Sequence, residues 1–233
     1  MPTISYLQRR QELETYFDRT AVDAWARLTT EEPVGRIRAT VRAGRNEMRQ
    51  TMASWLPANL EGRTVLDAGC GTGALAVDLA ARGADVLAID LSPRLVELAR
   101  ARFPEAIGKG RVRFQVGDML IHGSDRFDHV VAMDSLIHYD DHDIAKVLAC
   151  LAAAVRRSVV FTFVPRTPLL VAMHAAGRMF PRRDRSPTFR PLGDKTLRRL
   201  IATERGLADF SVGRSRYISR GFYTSEAMEL IRK

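Results

Sequence analysis

Cysteine is scarce in this sequence of 233 residues, which contains only Cys70 and Cys150. Two thiols exclude a disulfide framework and a cysteine-rich zinc site, and they are typical of a reducing cytoplasm. Long hydrophobic runs are missing too, because the longest spans residues 147–155 and a bilayer requires roughly 18 apolar residues. The N-terminal residues contain no apolar signal-peptide core. We therefore expect a cytoplasmic protein that is soluble or attached peripherally to a membrane.

Lysine is scarce as well, since only four of the 36 basic residues are lysines. The net charge of +9 is uneven, because residues 165–233 carry 15 basic and six acidic groups and so account for the whole excess. Arginine binds carboxylates and phosphates at two points, so this segment suits an acidic small molecule, a nucleic acid or an anionic membrane. A solvated arginine-rich surface is an equally good interpretation.

The rest of the composition is that of a globular protein, with 46% hydrophobic and 27% charged residues. Between residues 63 and 164, five short apolar runs alternate with helical patterns. This alternation predicts an α/β fold with a mostly parallel sheet and helices on both faces. Two further strands, near 210–219 and 221–232, are predicted to pair as a hairpin. A proline-rich, cap-like insertion, residues 165–193, precedes them between the fifth and sixth strands.

Residues 1–60 are predicted to form a helical arm ahead of a domain that spans residues 61–233. Ser5 and Gln8 are spaced as a capping box for a first helix. Pro33 is placed to open a second helix, which carries an apolar stripe that we expect to pack on the core. The stripe consists of Val34, Ile37, Val41, Met48, Met52 and Trp55.

A glycine loop follows the first predicted strand and opens a helix. Gly69, Gly71 and Gly73 permit close backbone approach by a ligand, and the free N–H groups of the helix terminus lie behind them. The loop spacing also satisfies a dinucleotide-binding pattern. We interpret Cys70 as a small packing residue of the loop, not a nucleophile, and expect Cys70 and Thr72 to line the cofactor site.

Three carboxylates at the ends of neighbouring predicted strands decide between ligands. Asp67 would repel a pyrophosphate and attracts an ammonium or sulfonium group. Asp90 is placed to hold ribose hydroxyls, and Asp118 to accept from an adenine amino group. Each alone also fits a capping role, but together they predict a site for a cationic nucleoside such as S-adenosylmethionine (SAM). Further predicted cofactor contacts are Leu91, Ser92, Met119, Asp134 and Ser135.

These motifs resemble those of class I SAM-dependent methyltransferases. The resemblance implies a Rossmann-like, seven-stranded sheet whose seventh strand runs antiparallel between strands five and six. Over nearly its whole length the chain is also similar to the magnesium-protoporphyrin IX methyltransferase family of chlorophyll and bacteriochlorophyll synthesis. The segments that carry this similarity are 14–29, 36–45, 133–139, 177–187 and 222–232.

The family resemblance implies methyl transfer from SAM to one propionate carboxylate of magnesium protoporphyrin IX. It also implies cooperation with the large subunit of magnesium chelatase and contact with photosynthetic membranes. No protein-bound metal is expected, because the other histidines show no metal-ligand spacing. These are His122, His129, His142 and His174.

The chemistry restricts the roles of the residues. A propionate is already ionised at neutral pH, so alignment and exclusion of water matter more than a strong base. The resemblance places His138 near the attacking carboxylate, to hold it or take its proton, and Tyr16 on an arm that closes over the cofactor. A capping histidine and a core aromatic are the competing interpretations of these two residues. Predicted substrate contacts are Tyr139, Arg178 and Arg182.

Different functions remain open from the residues alone. A DNA amino-methyltransferase would carry [DN]-P-P-[YF] after the fourth strand, where this chain has Asp134-Ser135-Leu136-Ile137, so no nucleic-acid partner is expected. The residues also fit a methyltransferase that acts on a quinone precursor, or a module that binds SAM without catalysis.

Overall fold

The computed structural model describes residues 3–19, 35–104, 107–120, 126–166 and 190–233. Its strands are β1 (Thr64–Ala68), β2 (Asp85–Asp90), β3 (Arg111–Val116), β4 (Phe127–Ala132), β5 (Val155–Phe163), β6 (Phe210–Arg220) and β7 (Tyr223–Arg232). Its helices are α1 (Ile4–Arg19), α2 (Arg36–Ser54), α3 (Ala74–Ala81), α4 (Pro93–Ala101), α5 (Asp141–Ala153) and α6 (Asp194–Thr203). Short 3₁₀ turns occur at Leu136–His138 and Arg205–Leu207.

All seven strands join one sheet in the order β3-β2-β1-β4-β5-β7-β6. Strands β1 to β5 pair in parallel, and β7 runs antiparallel to both β5 and β6. The predicted seven-stranded sheet, its antiparallel last strand and its terminal hairpin are therefore confirmed. Because parallel neighbours end at the same edge, the carboxyl ends of β1, β2 and β4 lie side by side.

The core has two layers because consecutive strand residues point to opposite faces. Leu66 and Val130 belong to a layer that includes α1, α5 and α6, whereas Val65 and Val131 face α2, α3 and α4. Burial of both faces explains why the strands read as continuous apolar runs. Helices on both faces of the sheet are thereby confirmed.

The predicted capping box of the first helix is wrong. The Oγ1 atom of Thr3 accepts from the backbone N–H of Tyr6 at 3.1 Å, so the helix begins two residues before Ser5 would allow. Ser5 instead donates to Asp143 at 2.9 Å and fastens α1 to α5. Ser5 and Gln8 have the spacing of a capping box, but Thr3, two residues earlier, is the residue whose side chain caps the helix.

The second helix begins after Gly35, and the expected start at Pro33 lies outside the described residues. Met48 and Met52 of the predicted stripe are fully buried, but Ile37 is 56% exposed. Val41 and Trp55 are partly buried and also pack against this core, so the stripe lies on the core from Val41 onward. None of the helices in the described ranges has the length and apolarity to cross a membrane.

The insertion is described only at its ends. Pro165 forms a parallel bridge with Leu192, and the N–H of Leu192 donates to the carbonyl of Val164 at 2.9 Å. The chain thus leaves and re-enters the fold at one place, beside the end of β5. The boundaries of the arm, the domain and the insertion stay predictions.

Candidate active site

A cavity of about 330 Å³ opens where β1, β2 and β4 end, and it lies within the size range of small-molecule sites. Twelve of the residues predicted as site residues line it. These are Asp67, Gly69, Cys70, Gly71, Thr72, Asp90, Leu91, Met119, Asp134, Ser135, His138 and Tyr139. The structure thus brings residues from four separate segments of the sequence to one place, although their roles stay predictions.

The glycine loop is fixed at one end and open in its middle. Gly69 has a φ of 84°, and a Cβ atom there would lie 2.4 Å from Cβ of Ser135. Its N–H donates to the carbonyl of Ile89 at 2.8 Å, which ties the loop to β2. Gly71 also has a positive φ, 54°, but a Cβ atom there would meet nothing within 4 Å. A ligand can therefore approach the backbone at Gly71.

Gly73 lies behind the cavity. It is the N-cap of α3 with a φ of 80°, and a Cβ atom there would come within 2.7 Å of the Phe114 ring. Its role in the structure is the close packing of α3 on β3, because a side chain would push the helix away from Phe114.

Asp90 is held by the backbone around it. One carboxylate oxygen accepts from the N–H of Gly71 at 2.8 Å and the other from the N–H of Ser92 at 2.9 Å. Each oxygen keeps lone-pair capacity for a ligand hydroxyl. Burial raises the pKa of Asp90. Ser92 itself caps α4 by accepting from the N–H of Leu95 at 3.3 Å and does not line the cavity.

Asp67 is the best indicator of the ligand's charge. The side chain is buried, and its Oδ2 atom has no hydrogen-bond partner within the described ranges. Burial and the neighbouring Asp90 raise the pKa of Asp67 to about 7. A buried carboxylate oxygen without a partner is costly unless a ligand compensates it. The site therefore fits a ligand that brings a positive charge to Asp67.

Cys70 is partly buried in the same acidic environment, close to Asp67 and Asp90. Burial, Asp90 and Asp67 raise the pKa of its thiol well above the ordinary value. The thiol stays protonated at neutral pH and is a poor nucleophile, because the thiolate is the reactive form.

Asp118 is bound to the N-terminal arm. Oδ1 accepts from the hydroxyl of Tyr6 at 2.6 Å and Oδ2 from Nη1 of Arg10 at 3.1 Å. The N–H of Leu120 also donates to Oδ1 at 2.9 Å. Tyr6 and Met119, but not Asp118, line the cavity. An adenine contact by Asp118 stays a prediction, and in the structure this carboxylate anchors α1.

The chain turns sharply after β4 at Asp134, which has a φ of 54°. Its carboxylate accepts from Nη1 of Arg45 at 2.5 Å and from the hydroxyl of Tyr223 at 3.2 Å. Its N–H donates to Oγ1 of Thr162 at 2.7 Å. These contacts offset the strain of a left-handed aspartate and direct the following residues, including Ser135 and His138, along the cavity wall.

His138 lies in the 3₁₀ turn after β4 and is 4% exposed. Its ring packs edge-on against Phe17 with 5.7 Å between centroids. Burial, and to a smaller extent Arg9, lower the pKa of His138 to about 4, so the imidazole is neutral at pH 7. Next to it, Tyr139 stacks on Tyr6 at 4.8 Å, and burial raises the pKa of Tyr139.

Another tyrosine of the arm, Tyr6, lies at the cavity, and the predicted role of Tyr16 stays a prediction. Tyr6, Leu13 and Phe17 of α1 line the cavity, and Tyr16 does not. Tyr16 lies about 100° around the helix from Phe17, against whose ring it packs edge-on at 5.3 Å. Arg178 and Arg182 lie outside the described residues, so their role in substrate binding stays a prediction.

Sequence reasoning missed the polar face that α2 presents to the cavity, which comprises Arg42, Arg45, Asn46 and Arg49. The signal was present in their helical spacing, but the apolar stripe beside it drew the interpretation toward core packing. Within the described part of the chain, no group of three His, Cys, Asp or Glu side chains is arranged to hold a metal ion.

Comparisons with known proteins decide the family. Residues 132–232 match the family described as "Magnesium-protoporphyrin IX methyltransferase C-terminus", and residues 65–158 match "Methyltransferase domain". The magnesium-protoporphyrin O-methyltransferase of Rhodobacter capsulatus is 46% identical over 230 residues, which cover 98% of this chain and 99% of that protein. The chain belongs to the magnesium-protoporphyrin O-methyltransferase family. The Synechocystis member is 29% identical over 99% of both chains.

Solved structures of the family agree with the fold. The magnesium protoporphyrin IX methyltransferase of Synechocystis PCC 6803 with bound S-adenosylhomocysteine (SAH) has a TM-score of 0.84 at 28% identity, covering 96% of this chain and 100% of that one. The same enzyme with bound SAM has a TM-score of 0.80 at 26% identity, covering 99% and 100%. The family membership and the methyltransferase fold predicted from the sequence are confirmed.

Proposed function

We propose that this chain transfers the methyl group of SAM to a propionate carboxylate of magnesium protoporphyrin IX in chlorophyll or bacteriochlorophyll synthesis. The products are the monomethyl ester and SAH. The observation that carries the proposal is the buried carboxylate of Asp67, one oxygen of which has no hydrogen-bond partner in the described part of a chain that belongs to this family. It explains why a cationic methyl donor is recognised instead of a dinucleotide.

SAM, when bound, supplies an electrophilic methyl group on a positively charged sulfur. In the proposed complex, Asp67 faces the positive end of the donor and Asp90 accepts from the ribose hydroxyls. The open backbone at Gly71 permits close contact, and Leu91 and Met119 flank the base. This assignment is supported by their common position on the cavity wall.

The propionate oxygen forms the new bond to the methyl carbon as the carbon–sulfur bond breaks, and an ionised propionate releases no proton. We assign His138 an orienting role, because a neutral imidazole donates one hydrogen bond to a carboxylate and is a weak base at a pKa of about 4. Tyr6, Leu13 and Phe17 of the arm line the cavity, and we assign them the exclusion of water from the reacting groups. Alignment of the reacting groups and exclusion of water lower the activation free energy by up to roughly 7–11 kcal/mol in favourable cases.

A turnover assay tests the proposal. Purified protein is incubated with SAM and magnesium protoporphyrin IX, and the products are separated by chromatography. The monomethyl ester is expected, and the dimethyl ester of the same porphyrin, which has no free propionate, is expected to give no product. SAM binding without porphyrin turnover would indicate a binding module or a methyltransferase for another substrate, such as a quinone precursor.

Peripheral membrane contact is a further part of the proposal. It is supported by an exposed apolar and basic surface where the start of α2 meets the β6–β7 turn. Phe222 is 57% and Ile37 is 56% exposed, and the N–H of Phe222 donates to Oγ1 of Thr40 at 3.4 Å, which joins the two elements. Arg36 and Arg220 lie beside these residues in sequence, and Arg220 is ion-paired to Glu47 of α2 at 2.7 Å. Flotation with anionic vesicles is expected to exceed flotation with neutral vesicles, and F222S is expected to reduce it.

Cooperation with the large subunit of magnesium chelatase is proposed from the family resemblance. A porphyrin passed directly from one protein to the other would avoid release of a poorly soluble intermediate. Co-purification of that subunit with the tagged chain is the expected result. Absence of co-purification and of any rate enhancement by the subunit would contradict it.

A further inference from the structure

The cavity has a wall of arginines that the predicted site did not include. Arg42, Arg45 and Arg49 of α2 all line it. Their spacing of three and four residues puts them on one face of the helix. The face is polar along this length, since Asn46 lies between Arg45 and Arg49 and also lines the cavity.

Contacts on either side fix this helix in position. Arg45 is ion-paired to Asp134 after β4, and Arg49 to Asp78 of α3 at 3.4 Å. Gly44, on the same helix, lies so close to β7 that a Cβ atom there would be 2.5 Å from the Tyr223 ring. The helix therefore cannot turn its arginines away from the cavity without breaking several contacts.

The charges of the cavity are separated between two walls. Asp67 and Asp90 lie at the strand ends, whereas the three arginines lie on α2, where Asp134 pairs with Arg45. Such an arrangement suits a ligand that has a positive and a negative group. A guanidinium recognises a carboxylate by paired hydrogen bonds, which gives both strength and direction.

We propose that Arg42 and Arg45 bind a carboxylate of the ligand, with Asp134 holding Arg45 in place. The inference rests on the proposed function, which brings two carboxylates into the cavity. One is the amino-acid carboxylate of SAM, and the other is a propionate of the porphyrin. Both have the same chemistry, and the experiment separates them.

The experiment uses the full-length chain and the variants R42Q and R45Q. Their affinities are measured for SAH and for 5′-methylthioadenosine, which lacks the amino-acid group, and the KM for magnesium protoporphyrin IX is measured in the turnover assay. R38Q is the matched control, because Arg38 lies on the same helix, is exposed and does not line the cavity. R42K keeps the charge but lacks the fork, so an intermediate effect is expected.

If the cofactor carboxylate is bound, R42Q and R45Q weaken SAH binding roughly tenfold or more and leave 5′-methylthioadenosine binding unchanged. If a propionate is bound, SAH affinity is unchanged and KM for the porphyrin rises by a similar factor. Either result supports the proposal, provided that R38Q changes neither quantity.

Unchanged SAH affinity together with unchanged porphyrin KM overturns the inference. Equal loss of SAH and 5′-methylthioadenosine affinity also overturns it, because that pattern shows a displaced arm. Should R45Q unfold, R42Q and R42K together decide, since Arg42 belongs to neither the Asp134 nor the Asp78 ion pair. Failure of the wild-type chain to bind SAH would contradict the proposed function itself. This outcome differs from failure of the inference about the arginines, in which the wild-type chain binds SAH and the variants bind it equally well.

Discussion

The hydroxyl of Tyr6 donates to the carboxylate of Asp118 at 2.6 Å, and the ring of Tyr6 stacks on Tyr139. One residue of the first helix thus contacts the turn after β3 and the turn after β4. Both turns belong to the cavity wall, so docking of the arm and formation of the site are coupled.

Substitution Y6F tests this coupling. It removes the hydrogen bond to Asp118 and keeps the stacked ring. The free energy of unfolding is expected to fall by about 1–3 kcal/mol, because a buried hydrogen bond to a carboxylate is lost, and SAH affinity is expected to fall several-fold. Denaturant unfolding and calorimetry measure the two effects. Y217F, which removes the hydroxyl of an exposed tyrosine on β6, should change stability much less, and equal losses would contradict the coupling.

Substitution H138A is expected to reduce kcat at least roughly tenfold and to change SAM affinity less than twofold. The reason is that His138 is assigned to the attacking carboxylate, not to the donor. Steady-state kinetics and calorimetry separate these quantities. A loss of affinity with unchanged kcat would show that the assignment is wrong.

The pH profile of kcat tests the protonation state of His138. Because its pKa is lowered to about 4, the imidazole is neutral throughout the physiological range, and kcat is expected to show no step near the ordinary histidine pKa of about 6.5. A step there that disappears in H138A would contradict the buried, neutral histidine.

Asp67 is expected to make both stability and SAM binding depend on pH. Its folded pKa of about 7 exceeds the unfolded value of about 3.9, so the folded state binds more protons between these values and stability falls as pH rises through this window. Deprotonation simultaneously favours a cationic ligand, so SAM affinity rises roughly up to tenfold between about pH 6 and pH 7.5. Calorimetry at several pH values measures the SAM affinity. The D67N substitution should weaken SAM binding and abolish its dependence on pH. A D67N variant with wild-type affinity would be inconsistent with this role.

Substitution D90A is expected to weaken SAM binding roughly tenfold or more, because both the ribose contact and the anchor of Gly71 are lost. D85A is the matched control, since Asp85 begins the same strand at the opposite edge of the sheet and is exposed. Calorimetric titration of both variants with SAM measures the two affinities. Equal effects of D90A and D85A would argue for a general change in charge or strand stability.

The sheet could be predicted because the sequence patterns that specify its strands and helices lie within short segments of the chain. The apolar runs, Gly83 after α3 and the cap at Ser92 are features of short segments, and the structure places each as expected. The glycine loop, Asp67 near the end of β1 and Asp90 at the end of β2 were found for the same reason, since parallel strands bring their carboxyl ends together.

The contacts of the arm could not be predicted, because they join residues that are far apart in sequence. Tyr6 and Asp118 are separated by 112 positions, and Arg45 and Asp134 by 89. Nothing local indicated that Tyr6 would line the cavity, because this depends on which face of α1 meets the sheet. The arginines of α2 were missed likewise, because their direction is set by the packing of Gly44 on Tyr223.

Calorimetric titration of the purified chain with SAM, and in parallel with NAD, tests the central claim most directly. The account predicts saturable one-to-one binding of SAM that weakens strongly in D67N, and no binding of NAD. Absence of heat with SAM, or occupation of the same cavity by NAD, would contradict it.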